Sequence, residues 1–120
     1  MAGNHDFGRL CEDLACSALT RAGWRVLHRN FRLGHKEIDL IARRGGTVAF
    51  VEVKGRRGAA YGHPFEAVTA AKRREIERVA LHWVRCHGRP GEVYRFDAVA
   101  VIRPRRGAVR LEHLEDAWRL

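Results

Sequence analysis

KEIDLIARRGGTVAFVEVK, residues 36–54, decides the fold. Two runs of alternating character, Glu37 to Ala42 and Val48 to Lys54, flank Gly45-Gly46. A glycine pair between alternating runs predicts a two-residue hairpin turn of the I′ kind. Such a turn sets Arg44 opposite Thr47. Leu40 then faces Val51, Asp39 faces Glu52, and Glu37 faces Lys54. Side chains alternate between the faces of a strand. Ile38, Leu40 and Ala42 therefore share a core face with Ala49, Val51 and Val53. Glu37, Asp39, Glu52 and Lys54 share the other face with Ile41, Val48 and Phe50. A one-residue slip would put Asp39 and Glu52 on opposite faces, so the apolar pattern supports the register.

Opposed residues in such a ladder have β-carbons about 4.5–5.5 Å apart. Two carboxylates at that separation repel unless something lies between them. A divalent cation would do so. Mg²⁺ takes one or two carboxylates and completes its shell with water and substrate phosphates. Lys54, roughly 7 Å along the strand from Glu52 on the same face, would orient a water or stabilise charge on a phosphate. The alternative is a solvated sheet face, with Glu37–Lys54 an ordinary salt bridge worth about 0–1 kcal/mol.

Outward from the hairpin, Phe7 to Ala22 carries a helical stripe of Phe7, Leu10, Cys11, Leu14, Ala15, Ala18, Leu19 and Ala22. Asn4 or Asp6 would cap its start and Gly23 its end. Glu12 falls ~110° from the middle of this stripe, at its border, within reach of the sheet edge; Asp13 points away. A solvated boundary glutamate is the alternative reading. Trp24 to Arg32 alternates as a strand, Gly55 to Pro64 reads as a basic glycine-rich loop, and Ala70 to His87 as a helix capped by Thr69 and stopped at Gly88. Lys72 sits near the centre of that helix's apolar stripe, so it must snorkel or find an anion. Tyr94 to Ile102 is an apolar strand. Ala108 to Leu111 adds a short one, and the tail from Glu112 reads as a short helix. Asp97 on the last long strand pairs with Arg95 in a structural role, and Trp118 packs on the sheet. The class is α/β, a single domain over residues 1–120, with a mixed sheet flanked by helices in the order αβββαβ.

The chain has 120 residues, 46% hydrophobic and 31% charged, a globular profile. No apolar run reaches the ~20 residues of a membrane span, and no apolar leader precedes Phe7, so a cytoplasmic protein is expected. Cys11, Cys16 and Cys86 form no CxxC pair, which argues against a disulfide framework or zinc ribbon. The net charge is +9, which favours a polyanionic partner, nucleic acid ahead of an anionic membrane surface. Only Lys36, Lys54 and Lys72 of the 23 basic residues are lysine, a hint that lysine is there for its own chemistry.

Asp39 followed across the hairpin by Glu52-Val53-Lys54 resembles the D-x(n)-E-x-K arrangement of PD-(D/E)XK nucleases. Together with Glu12, Asn30-Phe31-Arg32, Glu37-Ile38-Asp39-Leu40-Ile41, Phe50 to Arg56, Lys72 and Arg95-Phe96-Asp97, the chain resembles the YraN family of bacterial proteins over about residues 7 to 118. Two positions depart from that family's pattern: Cys11 and Lys36 stand where glycines usually precede the helix glutamate and the Glu-Ile-Asp run. The resemblance implies a restriction-endonuclease-like fold, similar to archaeal Holliday-junction resolvases. It also implies an acid at Glu12, metal ligands at Asp39 and Glu52, and a catalytic lysine at Lys54.

The activity expected is metal-dependent hydrolysis of phosphodiester bonds by an endonuclease with Mg²⁺ or Mn²⁺. Asp39 and Glu52 would hold the ion, with the Val53 carbonyl as a third ligand and Glu12 acting through water or at a second site. Arg56, Arg57, Lys72, Arg73 and Lys36 are the expected nucleic-acid contacts. DNA is expected ahead of RNA, read by its structure (branched or repair intermediates) rather than its sequence. A homodimer able to cut two strands is compatible with the resemblance. The rival reading is a non-catalytic nucleic-acid-binding module of a larger DNA-processing complex.

Overall fold

Apolar stripes of period 3.6 and period 2 divide the described residues into two helices and five strands. The computed structural model describes residues 2–58, 65 and 68–118, with side chains from residue 6 onward. Helix α1 covers Ala2–Arg21. Strands β1, β2 and β3 cover Arg25–Leu33, Lys36–Arg44 and Thr47–Arg57. Helix α2 covers Ala70–His87, and strands β4 and β5 cover Val93–Arg103 and Arg110–Trp118. One sheet runs in the order β1-β2-β3-β4-β5. The neighbours are antiparallel except β3 and β4, which are parallel and joined through α2. This is the expected mixed α/β sheet with its flanking helices. No helix among the described residues is long and apolar enough to cross a membrane.

The two faces of the sheet carry separate cores. Cys11, Ala15 and Leu19 of α1 pack on Leu40, Ala42, Ala49, Val51, Val99 and Val101. Ile76, Val79, Ala80 and Trp83 of α2 pack on Ile41, Val48, Phe50 and Phe96. Trp83 also donates its indole N–H to His28 Nδ1 at 2.8 Å, which ties α2 to β1. Gly23 ends α1 at φ +91°, with Trp24 N–H returning to the Leu19 carbonyl, as a glycine stop should. The Thr69 hydroxyl accepts from Lys72 N–H and caps α2.

The hairpin register is as read: Leu40 pairs with Val51 and Arg44 with Thr47. The turn is not of the I′ kind. That type needs positive φ at both central residues, and only Gly45 has it, at +59°.

Other boundaries also differ from the sequence reading. The helical backbone of α1 begins at Ala2, so Asn4 and Asp6 lie inside the helix rather than capping it. Gly55, Arg56 and Arg57 belong to β3, not to a loop, because β4 supplies parallel partners as far as Arg57–Arg103. The rest of the predicted basic loop, 59–64, lies outside the described residues. The tail is a strand, not a helix. The outer edge of β4 offers unpaired backbone groups, and β5 takes them antiparallel. Leu111, Leu114 and Trp118 mimic helical spacing because a bulge at Asp116, φ +52°, shifts the alternation before Trp118 stacks on Phe96 at 5.0 Å.

Candidate metal and catalytic site

The expected acidic pair forms at a place where the sheet comes apart. The β2–β3 ladder ends at Leu40–Val51, one position short of Asp39 and Glu52. Beyond it the Asp39 carboxylate takes over the work of a backbone partner: Oδ2 accepts the Val53 N–H at 2.8 Å. The alternation of β2 also breaks here. Leu40 and Ala42 face α1, but Ile38 joins Ile41 in the core under α2. Strict alternation puts Ile38 on the face of Leu40, and the break at Asp39 overturns that. It also separates Glu37 from Lys54. Glu37 pairs with Arg32 at 3.0 Å instead.

Asp39 and Glu52 do meet. Their carboxyl groups share a hydrogen bond, and Asp39 is pushed up to about 8 from 3.8, first by burial and then by the bond and charge of Glu52. Glu52 is 3% exposed, and its Oε2 has no hydrogen-bond partner. Two ammonium groups flank that oxygen, Lys72 Nζ at 3.6 Å and Lys54 Nζ at 4.0 Å. Lys72 on the α2 stripe has thus found an anion. A recessed acid pair that retains a proton, with an unsatisfied oxygen beside it, is a donor set that suits a hard divalent cation.

Glu12 reaches the same region from α1. Its Oε1 accepts from Asn30 Nδ2 at 3.1 Å and lies 3.7 Å from Arg29 Nη2. Burial pushes its carboxyl up, against the opposing Asn30 hydrogen bond. A cavity of about 490 Å³ opens beside it, lined by Arg9, Glu12, Arg29, Asn30, Arg32 and Glu37. Among the described residues, Glu12 does not complete with Asp39 and Glu52 a set of three whose ligand atoms all lie within 4.8 Å. Asp13 is not turned away as read: it binds Arg29 at 2.7 Å and anchors α1 to β1.

The expected phosphate contacts are spread over several elements. Lys36 pairs with Glu75 at 2.9 Å, Arg73 lies over the Trp118 ring and Arg57 over the Phe7 ring. Arg56 follows Gly55 near the end of β3. Arg32 enters the sequence reading only within the Asn30-Phe31-Arg32 run of the family resemblance, while Arg9 and Arg29, which line the same cavity, carry no signal in the sequence.

Among the described residues, the set of three acid or imidazole groups that does converge is elsewhere, at Asp97, His113 and Glu115. Asp97 is fully buried and accepts from Asp116 N–H at 2.9 Å. Its Oδ2 lies 2.7 Å from His113 Nε2. Arg95 already bridges Asp97 and Glu115, with its Nη2 3.0 Å from Glu115 Oε1, so a guanidinium occupies the position of a cation. Asp97 therefore pairs with Arg95 structurally, as read. The signal for its partners lies in the tail that reads as a helix.

Comparison with known proteins agrees with the family resemblance. A UPF0102 protein of Rhodococcus jostii is 45% identical over 98% of this chain and all of its own length. A UPF0102 protein of Renibacterium salmoninarum is 46% identical over 91% of this chain and 92% of its own. One from Streptomyces coelicolor is 48% identical over 88% of this chain and 83% of its own. A family model matches residues 11–101. The span takes in Glu12, the broken hairpin and Lys72, and the chain belongs to the uncharacterised protein family UPF0102, the YraN family.

Proposed function

We propose that this protein is a metal-dependent endonuclease that hydrolyses phosphodiester bonds of DNA, selecting branched or otherwise irregular structure over sequence. One observation carries the reading: two carboxyl groups meet where the ladder breaks, and the buried Glu52 Oε2, without a hydrogen-bond partner, is flanked by Lys54 and Lys72. An ordinary structural ion pair does not need a second carboxyl group set against the first. A cation of the Mg²⁺ or Mn²⁺ type would lie between the two, held by Asp39, Glu52 and the Val53 carbonyl, with Glu12 reaching it through water. Bound there, it would supply a water of lowered pKa and neutralise charge on the phosphate. Lys54, at the open side of Glu52, orients the attacking water or meets a non-bridging oxygen. Lys72, with its Nζ 3.6 Å from Glu52 Oε2, keeps that carboxylate aimed. Arg56, Arg57, Arg73 and Lys36 hold the flanking backbone, and the net charge of +9 draws the polyanion in.

Assays on branched, flapped and linear DNA with Mg²⁺ or Mn²⁺ test this. Cleavage is expected in the wild type and lost by at least about 100-fold in Asp39→Ala, Glu52→Ala and Lys54→Ala. Cleavage that persists in all three ends the proposal. A second reading has its own support: Lys72 and Lys54 already balance Glu52, so the same basic domain would hold nucleic acid without cutting it. That reading expects salt-dependent binding that needs no divalent ion and survives Asp39→Ala. Calorimetric titration with Mn²⁺, with and without Asp39, separates the two.

A further inference from the structure

Asn30 and Asp116 are the non-glycine residues with positive φ among the described residues, and Asn30, at +53°, stands in the middle of β1. Asparagine tolerates this conformation better than most residues, yet a strand interior rarely needs it. Its place explains the need. The β1–β2 pairs are Arg29–Leu40 and Phe31–Ile38, so the position opposite Asn30 is Asp39, and no ladder pair joins the two. On the far side of Asp39 the β2–β3 ladder also stops. The side chains of β2 change faces across the same residue, from Leu40 toward α1 to Ile38 toward α2. A left-handed residue in β1 turns its backbone groups away and leaves β2 room for that rotation. The rotation lets the Asp39 carboxylate, rather than its backbone, reach Val53 N–H. The same Asn30 sends its side-chain amide in the other direction, to Glu12 Oε1 at 3.1 Å.

We propose that Asn30 is the positioning residue of the acidic site: its left-handed backbone opens the sheet at Asp39, and its amide fixes Glu12 toward that opening. Its consequence for metal binding rests on the function proposed above; the geometry itself does not. Neither duty is met by a hydrophobic strand residue, and glycine meets only the first.

A double-mutant cycle tests the link. Asn30→Gly keeps the left-handed backbone and removes the amide. Removing such an outer partner of a metal ligand costs ~10–100-fold in metal affinity, so Mn²⁺ binding by calorimetry is expected to weaken on that scale. Glu12→Ala is expected to weaken it too, and the double variant to bind no more weakly than Glu12→Ala alone, because Asn30 acts through Glu12. Independent, multiplying losses overturn the proposal, as does wild-type affinity in Asn30→Gly. A metal-free arm judges the geometry separately. The Asn30 side-chain amide resonances are expected to shift in Glu12→Ala, and unmoved resonances refute the hydrogen bond. If the wild type binds no Mn²⁺ while those resonances shift, the metal reading falls and the positioning of Glu12 by Asn30 stands.

Discussion

Replacing Asp39 by Asn should make the metal-free protein more stable at alkaline pH, although it removes the central acid of the candidate site. The Asp39 carboxyl is raised to about 8 from 3.8, by burial first and by Glu52 second. Between those values the folded protein keeps a proton that the unfolded chain has released. Stability therefore declines as pH rises: the contribution is fully present below about pH 4 and is lost on passing through about pH 8. A tenfold difference in proton affinity between the folded and unfolded states is worth about 1.4 kcal/mol, which bounds the loss at ~6 kcal/mol. Water reaches the half-buried carboxyl and raises the local dielectric, so on the order of half that is expected. Asparagine has the same shape, carries no charge, accepts from Val53 N–H and donates to Glu52. Urea unfolding in a chelator at pH 5, 6.5 and 8.5 is the assay. The variant should match the wild type near pH 5 and exceed it by about 2–3 kcal/mol at pH 8.5. Saturating Mn²⁺ should restore the wild type, by about 2.7 kcal/mol at one hundred times its dissociation constant, and leave the variant unchanged. Identical pH dependence in the two proteins would refute the trapped proton and the reasoning built on it.

Two further predictions concern the frame around the site. Gly55 lies where α1 crosses β3, and a Cβ there would run into Cys11 Sγ and the Phe7 ring. Gly55→Ala is expected to cost about 1–3 kcal/mol, and adding Cys11→Ala should recover part of it in thermal unfolding; additive losses would show that the contact does not limit the packing. Asp97→Ala leaves Arg95 without its buried partner and should cost about 3–5 kcal/mol. Denaturant unfolding would measure this, and a loss under about 1 kcal/mol would mean that the network on β4 and β5 is held by something else.

Residues 36–54 are enough to set the hairpin, its register and the meeting of Asp39 with Glu52, because alternation and a glycine bend are local properties. The helices are legible for the same reason. The stripe of α1 and the Thr69–Gly88 frame of α2 repeat within a few residues. What the sequence leaves open depends on groups distant in the chain. The tail from Glu112, with Leu114 and Trp118, reads as helix until β4 supplies an edge and Asp116 a bulge. Ile38 is apolar in either orientation, and only the opening between Asn30 and Asp39 decides which core receives it. Lys72 must find an anion, and the fold of α2 over β3 decides that the anion is Glu52. Local periodicity fixes which residues belong to an element. The partner that a polar group finds is fixed by packing, since burying it unpaired costs more than any local preference.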